Sequence, residues 1–299
     1  VNRVILPAIY DYVSFDNDII IAGLNGVRSL YDDTGKQISN LQFTAISRFH
    51  DNRAIITNED KSTSIIDHHG NIILEPMDGF SFERVLNDSL VLIKNALNSK
   101  VGIVNAKGEF AISCNYDEVK QANTFFIAES NNKKGILSVD ESIVMPFVYD
   151  EIYLSYFYVV DGFDDYEIGE NYIVKKDNLF GVIDPNTENE IIPVHYKSIS
   201  TLFDKYYLVQ NTEERNGLFL ENGEALLLEE YIFYNRFEKT IFATKNNKPL
   251  LIKLEGKRYT ETEVGVDEFI QFKDDDSLFL NEKQIFKLND KYGVINYES

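Results

Sequence analysis

One short pattern returns eight times along this chain of 299 residues, and any fold must accommodate every copy. Its clearest form is Gly102-Ile103-Val104-Asn105-Ala106-Lys107-Gly108-Glu109-Phe110-Ala111-Ile112, followed by Tyr116-Asp117. An apolar pair leads through a polar residue into a tight turn; a second apolar pair follows, then an aromatic residue with an acid behind it. Gly217 to Leu227 with Tyr231 is a second copy, and Ile65 to Ile73 and Leu251 to Gly256 are others. The aromatic anchors fall at Tyr10, Phe43, Phe80, Tyr116, Tyr149, Tyr196, Tyr231 and Phe269, with gaps of 33, 37, 36, 33, 47, 35 and 38 residues. A period of about 20–50 residues marks a repeat architecture. Neighbouring repeats share one continuous core, so residues 1–299 are expected to form one repeat domain although length alone suggests two.

Periodicity predicts strands nearly throughout. Ile19-Ile20-Ile21, Ala54-Ile55-Ile56, Leu90-Val91-Leu92-Ile93, Phe125-Phe126-Ile127, Tyr172-Ile173-Val174 and Tyr207-Leu208-Val209 are short, apolar and bounded by polar clusters. No window sustains helical spacing over three turns. Each repeat is expected to hold about four strands: one after the anchor, one central, one running into the turn glycine and one leaving it. Pro7, Pro76, Pro146 and Pro193 fall just after the last strand, where a missing backbone donor stops the ladder without cost.

The two ends of the sequence each carry part of a repeat. Tyr292-Gly293-Val294-Ile295-Asn296 is a first half, and Val4-Ile5-Leu6-Pro7 with Tyr10-Asp11 a second half. Joined, they make one unit and remove two exposed sheet edges. The expected fold is therefore all-β: a closed repeat array, a β-propeller of about seven or eight blades, with the N- and C-terminal strands completing one blade.

These units resemble the bacterial WG repeat, whose pattern is Trp-Gly, an apolar pair with Asp or Asn, a turn Gly, apolar residues, Pro and Tyr-Asp. Phe180-Gly181-Val182-Ile183-Asp184, then Ile191-Ile192-Pro193 and Tyr196, follows it closely. The chain departs at the signature, because it has no tryptophan. The Trp position is read as Val101, Lys134, Phe180, Asn216 and Tyr292, with Asn25 in the first unit; Ser64 and Leu250 replace the glycine in two others. A glycine in that slot is expected to permit a bulge or a close strand approach. The resemblance implies a bacterial interaction scaffold and transfers no catalytic residue.

The net charge of −20, from 49 acids against 29 bases, argues against nucleic acid and against anionic membranes as partners. It suits a soluble β protein, or a field that steers a basic protein. No apolar run is long enough to span a bilayer, and no basic region leads into an apolar one at the N-terminus. The lone Cys114 excludes an internal disulfide, so the expected compartment is the cytoplasm.

Chemistry-bearing motifs are scarce. His68 and His69 are adjacent and point to opposite sides of an extended chain, which suits a solvated turn better than one metal. His195 occupies a strand-end slot held by Ile9 and Val148 elsewhere, which reads as packing. Asp274-Asp275-Asp276 lacks the alternating spacing of a calcium loop. The expectation is no catalytic residue, no metal site and no cofactor. The alternative is an enzyme or small-molecule binder whose site is spread over many blades around the propeller's central channel.

The 47-residue repeat after Tyr149 carries the one unusual segment. Extra length in a repeat emerges as a loop on one face, often the binding face. Tyr153, Tyr156, Tyr158, Phe163 and Tyr166, mixed with Asp164, Asp165, Glu167 and Glu170, have the composition of an interface aimed at a basic partner. The plainer reading is a lengthened hairpin packing on its own blade. The function that fits is a non-catalytic binding scaffold, monomeric on its own. Its sharpest version is a cytoplasmic immunity or antitoxin-type protein covering a basic toxin domain.

Overall fold

The computed structural model describes residues 3–158, 166–202, 205–237, 239–270 and 283–296. They are all-β: antiparallel sheets with no α-helix among the described residues. The chain divides into two compact halves, residues 1–147 and 148–299.

The first half opens with a three-stranded sheet of β1 (Tyr12–Asp16), β2 (Ile19–Leu24) and β3 (Val27–Tyr31). A four-stranded sheet follows, of β4 (Ala45–Ile46), β5 (Arg53–Thr57), β6 (Thr63–Asp67) and β7 (Ile72–Leu74). The next comprises β8 (Phe80–Asn87), β9 (Leu90–Asn95), β10 (Val101–Asn105) and β11 (Phe110–Tyr116). The last joins β12 (Glu118–Ala122), β13 (Phe125–Ser130) and β14 (Lys133–Leu137) to β15 (Ile143–Tyr149), which runs across the boundary.

The second half begins with β16 (Glu151–Tyr158), β17 (Tyr166–Lys176), β18 (Leu179–Asp184) and β19 (Asn189–Tyr196). Then come seven strands in one sheet: β20 (Ser198–Thr201), β21 (Tyr206–Gln210), β22 (Asn216–Leu220), β23 (Ala225–Phe237), β24 (Thr240–Lys245), β25 (Lys248–Glu255) and β26 (Arg258–Glu263). That sheet is two repeats joined, because β23 is the last strand of one and the first of the next. β27 (Glu268–Phe269), β28 (Lys283–Leu288) and β29 (Lys291–Asn296) complete the described chain. The expected four-stranded repeat is thus observed, and strand order within each sheet follows sequence order.

Local chemistry sets these meanders. Hairpins between central strands turn on paired left-handed residues, Asn131-Asn132, Asp177-Asn178, Asn246-Asn247 and Asn289-Asp290, as a tight turn matching strand twist requires. The acid behind the aromatic anchor has a repeated duty. The carboxylates of Asp11 and Asp150 accept the amides of Asn25 and Asp177, fastening the first strand of a repeat to its central hairpin; Asp267, two residues ahead of Phe269, does the same for Asn289. In the wider turns, Asp67, Asn105 and Asn211 accept two backbone amides each, the Asx geometry such residues favour.

The glycine of the signature slot does what was expected. Val101 opposes Tyr116 and Ile103 opposes Ile112, so two steps on β10 face four on β11. The same shift separates Phe180↔Tyr196 from Val182↔Ile192, and Asn216↔Tyr231 from Leu218↔Leu227. The bulged strand bows over the glycine: a Cβ on Gly102 would lie 2.5 Å from the Ile112 carbonyl oxygen, and one on Gly181 2.8 Å from that of Ile192. The first repeat needs a correction. Asn25 and Gly26 form its central hairpin turn, and it is Arg28 that bridges the anchor Phe43. Arg28 therefore holds the Trp position and the buried Ser29 the glycine slot; an Asn-Gly turn close by mimics the signature.

Within each half, cores form between neighbouring sheets. Val91, Ile93 and Val104 pack with Ile55, Ile65 and Leu74 of the preceding repeat, and Val182, Ile192 and Tyr196 with Tyr207, Val209 and Phe219 of the following one. The anchor tyrosines add a polar bond across that seam. Tyr116 donates to Glu141 at 3.0 Å, Tyr196 to Glu229 and Tyr231 to Glu261, each carboxylate belonging to the next repeat.

A second correction concerns the first residues. No strand forms before Tyr12, so Val4–Leu6 is irregular, and β29 is the edge of a three-stranded sheet among the described residues. The expected pairing of Tyr292–Asn296 with Val4–Leu6 is not made. Pro7 and the carbonyl of Ile5 explain the irregularity: Pro7 accepts the amide of Ile9 in a turn, and Ile5 packs against the turn at Gly35.

Candidate functional site

The lengthened repeat does not make a loop over its described part; it lengthens two strands. Tyr156 pairs with Ile168, Phe157 with Glu167 and Tyr158 with Tyr166, whereas β18 pairs with β17 only from Tyr172 to Lys176. The outer part of β17 is therefore strand-paired with β16 alone among the described residues. Aromatic and β-branched residues facing one another across the pair favour strand over loop. Phe163, Asp164 and Asp165, and the side chain of Tyr158, lie outside what the structure describes.

A register shift between Leu154 and Tyr156 decides which side chains face inward. It turns Ser155 into the core, where its hydroxyl shares a 2.9 Å hydrogen bond with that of Tyr207. Phe157 is 1% exposed and meets the Tyr207 ring edge-on at 5.2 Å. Gly169 makes room for it, since a Cβ there would lie 2.6 Å from the Phe157 ring. The inward face roots the hairpin. The outward one presents Tyr153, Tyr156, Tyr166 and Ile168, between 45% and 58% exposed, with Tyr156 and Tyr166 edge-to-face at 5.4 Å. Aromatics held rigidly in water cost little ordering entropy when a partner covers them.

The acids behave less uniformly than their sequence suggests. Glu167 lies 3.3 Å from Lys205, which also reaches Glu221 at 3.5 Å. Burial pulls the Lys205 ammonium down, but the two carboxylates outweigh it and hold its pKa above the usual value. Glu170 lines a separate pocket of about 570 Å3 with Asn171, Lys205, Tyr206, Glu221 and Lys257. Asn171 there donates to the Glu221 carbonyl at 2.9 Å. The structure thus brings Tyr153, Tyr156 and Tyr166 onto one hairpin face and assigns Glu167 an internal partner. Sequence reasoning missed Lys205 and Ile168. Ile168, directly opposite Tyr156, could have been found from the period of two; Lys205, from another repeat, could not.

Elsewhere, His68 packs on Phe49 with ring centres 4.3 Å apart and His195 on Tyr196 at 4.2 Å. Burial pushes the Cys114 thiol up to about 11, the environment of an inert core cysteine. Among the described residues, no group of three or more His, Cys, Asp and Glu side chains gathers into a metal site. Asp274 to Asp276 lie outside the described residues. Among the described residues, no helix is long and apolar enough to cross a membrane.

The fold defines an all-β array of antiparallel repeats, three of which close on an aromatic anchor over a glycine-borne bulge, at Gly102, Gly181 and Gly217. The family model for the WG containing repeat matches residues 29–61 and 102–123, so the chain carries WG repeats there, as the resemblance implied. No curated protein matches the sequence. Among solved structures, Kluyveromyces lactis Hsv2 is similar at 8% identity and a TM-score of 0.36, covering 84% of this chain and 96% of that one. BamB from Moraxella catarrhalis is similar at 12% identity and a TM-score of 0.26, covering 96% and 84%. Apo AztD from Citrobacter koseri is similar at 14% identity and a TM-score of 0.29, covering 85% and 86%. At such scores the likeness carries no argument about this chain.

Proposed function

We propose that this protein is a non-catalytic scaffold that binds another protein through the outward face of the β16–β17 hairpin. The observation that carries the reading is the exposed Tyr153, Tyr156, Tyr166 and Ile168 cluster, held on paired strands and rooted by Phe157. Interfaces concentrate their energy in such aromatics. The net charge of −20 supports a basic partner, attracted before contact. The sharpest version is an immunity or antitoxin-type protein that covers a cationic toxin domain inside the cell. Tyr156→Ala should weaken partner binding by about 2 kcal/mol, roughly thirtyfold, mainly through faster dissociation. Its melting temperature should stay within a few degrees of wild type, because Tyr156 faces solvent. Binding kinetics against the isolated partner test this at two salt concentrations; wild-type dissociation from Tyr156→Ala and Tyr166→Ala would remove the hairpin from the interface.

The repeats are further proposed to close into a β-propeller of seven or eight blades. Repeated face-to-face packing of successive meanders supports that arrangement. Small-angle scattering at low concentration should give a radius of gyration near the ~19 Å of a compact domain of this length; a much larger value would mean an open array. A second reading, a small-molecule binder, draws on the pocket lined by Lys205, Lys257, Glu170 and Glu221.

A further inference from the structure

We infer that Asn25-Gly26, the central turn of the first repeat, is a site of spontaneous chemical modification, where Asn25 loses its side-chain amide as ammonia and the backbone rearranges. The chain holds three Asn-Gly pairs, at Asn25, Asn216 and Asn222, and local sequence makes all three candidates. Glycine has no Cβ to obstruct its own nitrogen, so that nitrogen reaches a preceding Asn side chain more easily than the nitrogen of any other residue would. The structure separates the three.

Asn216 is 8% exposed on β22, and its Oδ1 accepts the Phe233 amide at 3.0 Å. Gly217 beside it is buried, with the Leu227 carbonyl oxygen 2.9 Å from where a Cβ would stand. Neither can swing toward the other without parting the sheet. Asn222 is exposed, but its Oδ1 accepts the Glu224 amide at 3.1 Å, and the Gly223 nitrogen donates to the Leu220 carbonyl at 2.9 Å. The attacking atom is thereby tied down, and the Ile191 carbonyl packs against the same glycine. Asn25 differs at every point. Both turn residues are exposed, and among the described residues neither the Asn25 side chain nor the Gly26 nitrogen makes a hydrogen bond. Nothing lies within 4 Å of a Cβ built on Gly26. For the ring to close, the Asn25 backbone must leave its left-handed conformation, at φ of 54°. That asks only the Leu24↔Val27 end of one hairpin to open and the Asn25 amide to leave Asp11, a local motion at an exposed turn.

The Gly26 nitrogen gives its proton to hydroxide and bonds to Cγ of Asn25. The Cγ–Nδ2 bond breaks, and Nδ2 takes a proton from water and leaves as ammonia. Water then opens the resulting cyclic imide on either side. Breaking the nitrogen's bond to Cγ gives aspartate on an unchanged backbone. Breaking its bond to the Asn25 backbone carbon gives isoaspartate, whose main chain runs through Cβ and Cγ. Water is consumed and ammonia released, with no oxidant or reductant. Either product adds a negative charge next to Asp11, whose carboxylate accepts the Asn25 amide at 2.8 Å. Isoaspartate also lengthens the main chain inside a two-residue turn whose shape must match the strand twist. It therefore removes the tether between the first strand and the central hairpin of the β1–β3 sheet. The first repeat loosens as the molecule ages, and this is independent of the β16–β17 site, which belongs to the other half.

Incubation of the folded protein at mildly alkaline pH, followed by peptide mapping with mass spectrometry and isoaspartyl-specific methylation, decides the matter. Asn25 should lose its amide at least about tenfold faster than Asn216 or Asn222, because only its turn opens locally. In denaturant the three rates should fall within about threefold of one another, since only local sequence is left to separate them. Gly26→Ala should slow the loss at Asn25 by about tenfold or more in denaturant as well, where folding plays no part. The isoaspartate form, separated by charge, should melt below the unmodified protein, and Asn25→Asp, which adds the charge without the longer backbone, should melt between them. Folded protein in which Asn216 or Asn222 reacts as fast as Asn25 overturns the inference. So does an Asn25 that keeps its amide in the fold while the denatured chain loses it.

Discussion

Between pH 10 and pH 12 this protein should lose several kcal/mol of stability and unfold. The cause is a set of buried tyrosine hydroxyls. Burial pushes Tyr207 up to about 12, and Tyr172 likewise. Burial followed by the neighbouring carboxylate does the same to Tyr116 beside Glu141, to about 12. Tyr196 and Tyr231, each facing a glutamate of the next repeat, are raised further. The sign follows directly. Above pH 10 the unfolded chain releases these phenolic protons while the folded chain holds them, so the unfolded state gains and stability falls as pH rises. Below pH 10 both states keep the proton and the contribution is fully present. Tyr207 alone, nearly two pH units above its ordinary value, accounts for about 3 kcal/mol of that loss. Total stability is commonly about 5–15 kcal/mol, so the remaining tyrosines suffice to carry the protein through its transition. Thermal melts from pH 8 to 12, read beside tyrosinate absorbance, measure it. A melting temperature flat to pH 12, with all 18 tyrosines titrating near 10, would refute the account.

Gly223→Val should be among the most damaging single substitutions in the chain, and Gly108→Val much milder. Both glycines occupy the left-handed region, at φ of +82° and +78°, so a side chain costs about 1–3 kcal/mol at either. Their surroundings separate them. A Cβ on Gly223 would stand 2.3 Å from the Ile191 carbonyl oxygen, backbone of the preceding repeat that cannot rotate away. At Gly108 the nearest atom is a methyl of Leu74 at 3.7 Å, an ordinary contact. The clash adds about 1–3 kcal/mol, so Gly223→Val should cost about 2–6 kcal/mol and lower the melting temperature by roughly 3–10 °C. Denaturant titrations of both variants check the ordering. Equal losses would show that only backbone strain matters at these turns, and that the seam between repeats yields.

The contrast shows where the sequence was readable. The repeat, its four strands, the left-handed turn glycines and the room made by the signature glycine all rest on local pattern, and local pattern survives in one chain. The partners across the seam do not. Glu141, Glu229 and Glu261 lie 25 to 33 residues from their tyrosines, and nothing in a repeat's own period singles them out from 49 acids. The shift in the first repeat had a different origin: Asn25-Gly26 satisfies a hairpin and a degenerate signature equally well, and only the bridge from Arg28 to Phe43 decides between them. At the candidate site the aromatics were visible, but which of them faced water depended on a one-residue shift at Ser155 that composition does not encode. The inward turn of Ser155 is also what separates Phe157, a core residue, from Tyr156, a surface one.

The 13-residue strand β23 has a bearing on how the molecule comes apart. Elsewhere a repeat ends, the chain turns at its aromatic anchor, and the next meander begins as a separate sheet. At Tyr231 the backbone passes through without interruption, so one ladder of hydrogen bonds runs from β20 to β26. Two repeats that would otherwise open and close singly are bound into one cooperative block, with Tyr206 reaching from its second strand to the Gly256 carbonyl near its far edge. Breathing motions that let solvent into the array will start at sheet boundaries on either side of this block and spread around it. Within the block, the inner strands β21 to β25 should exchange their amides most slowly.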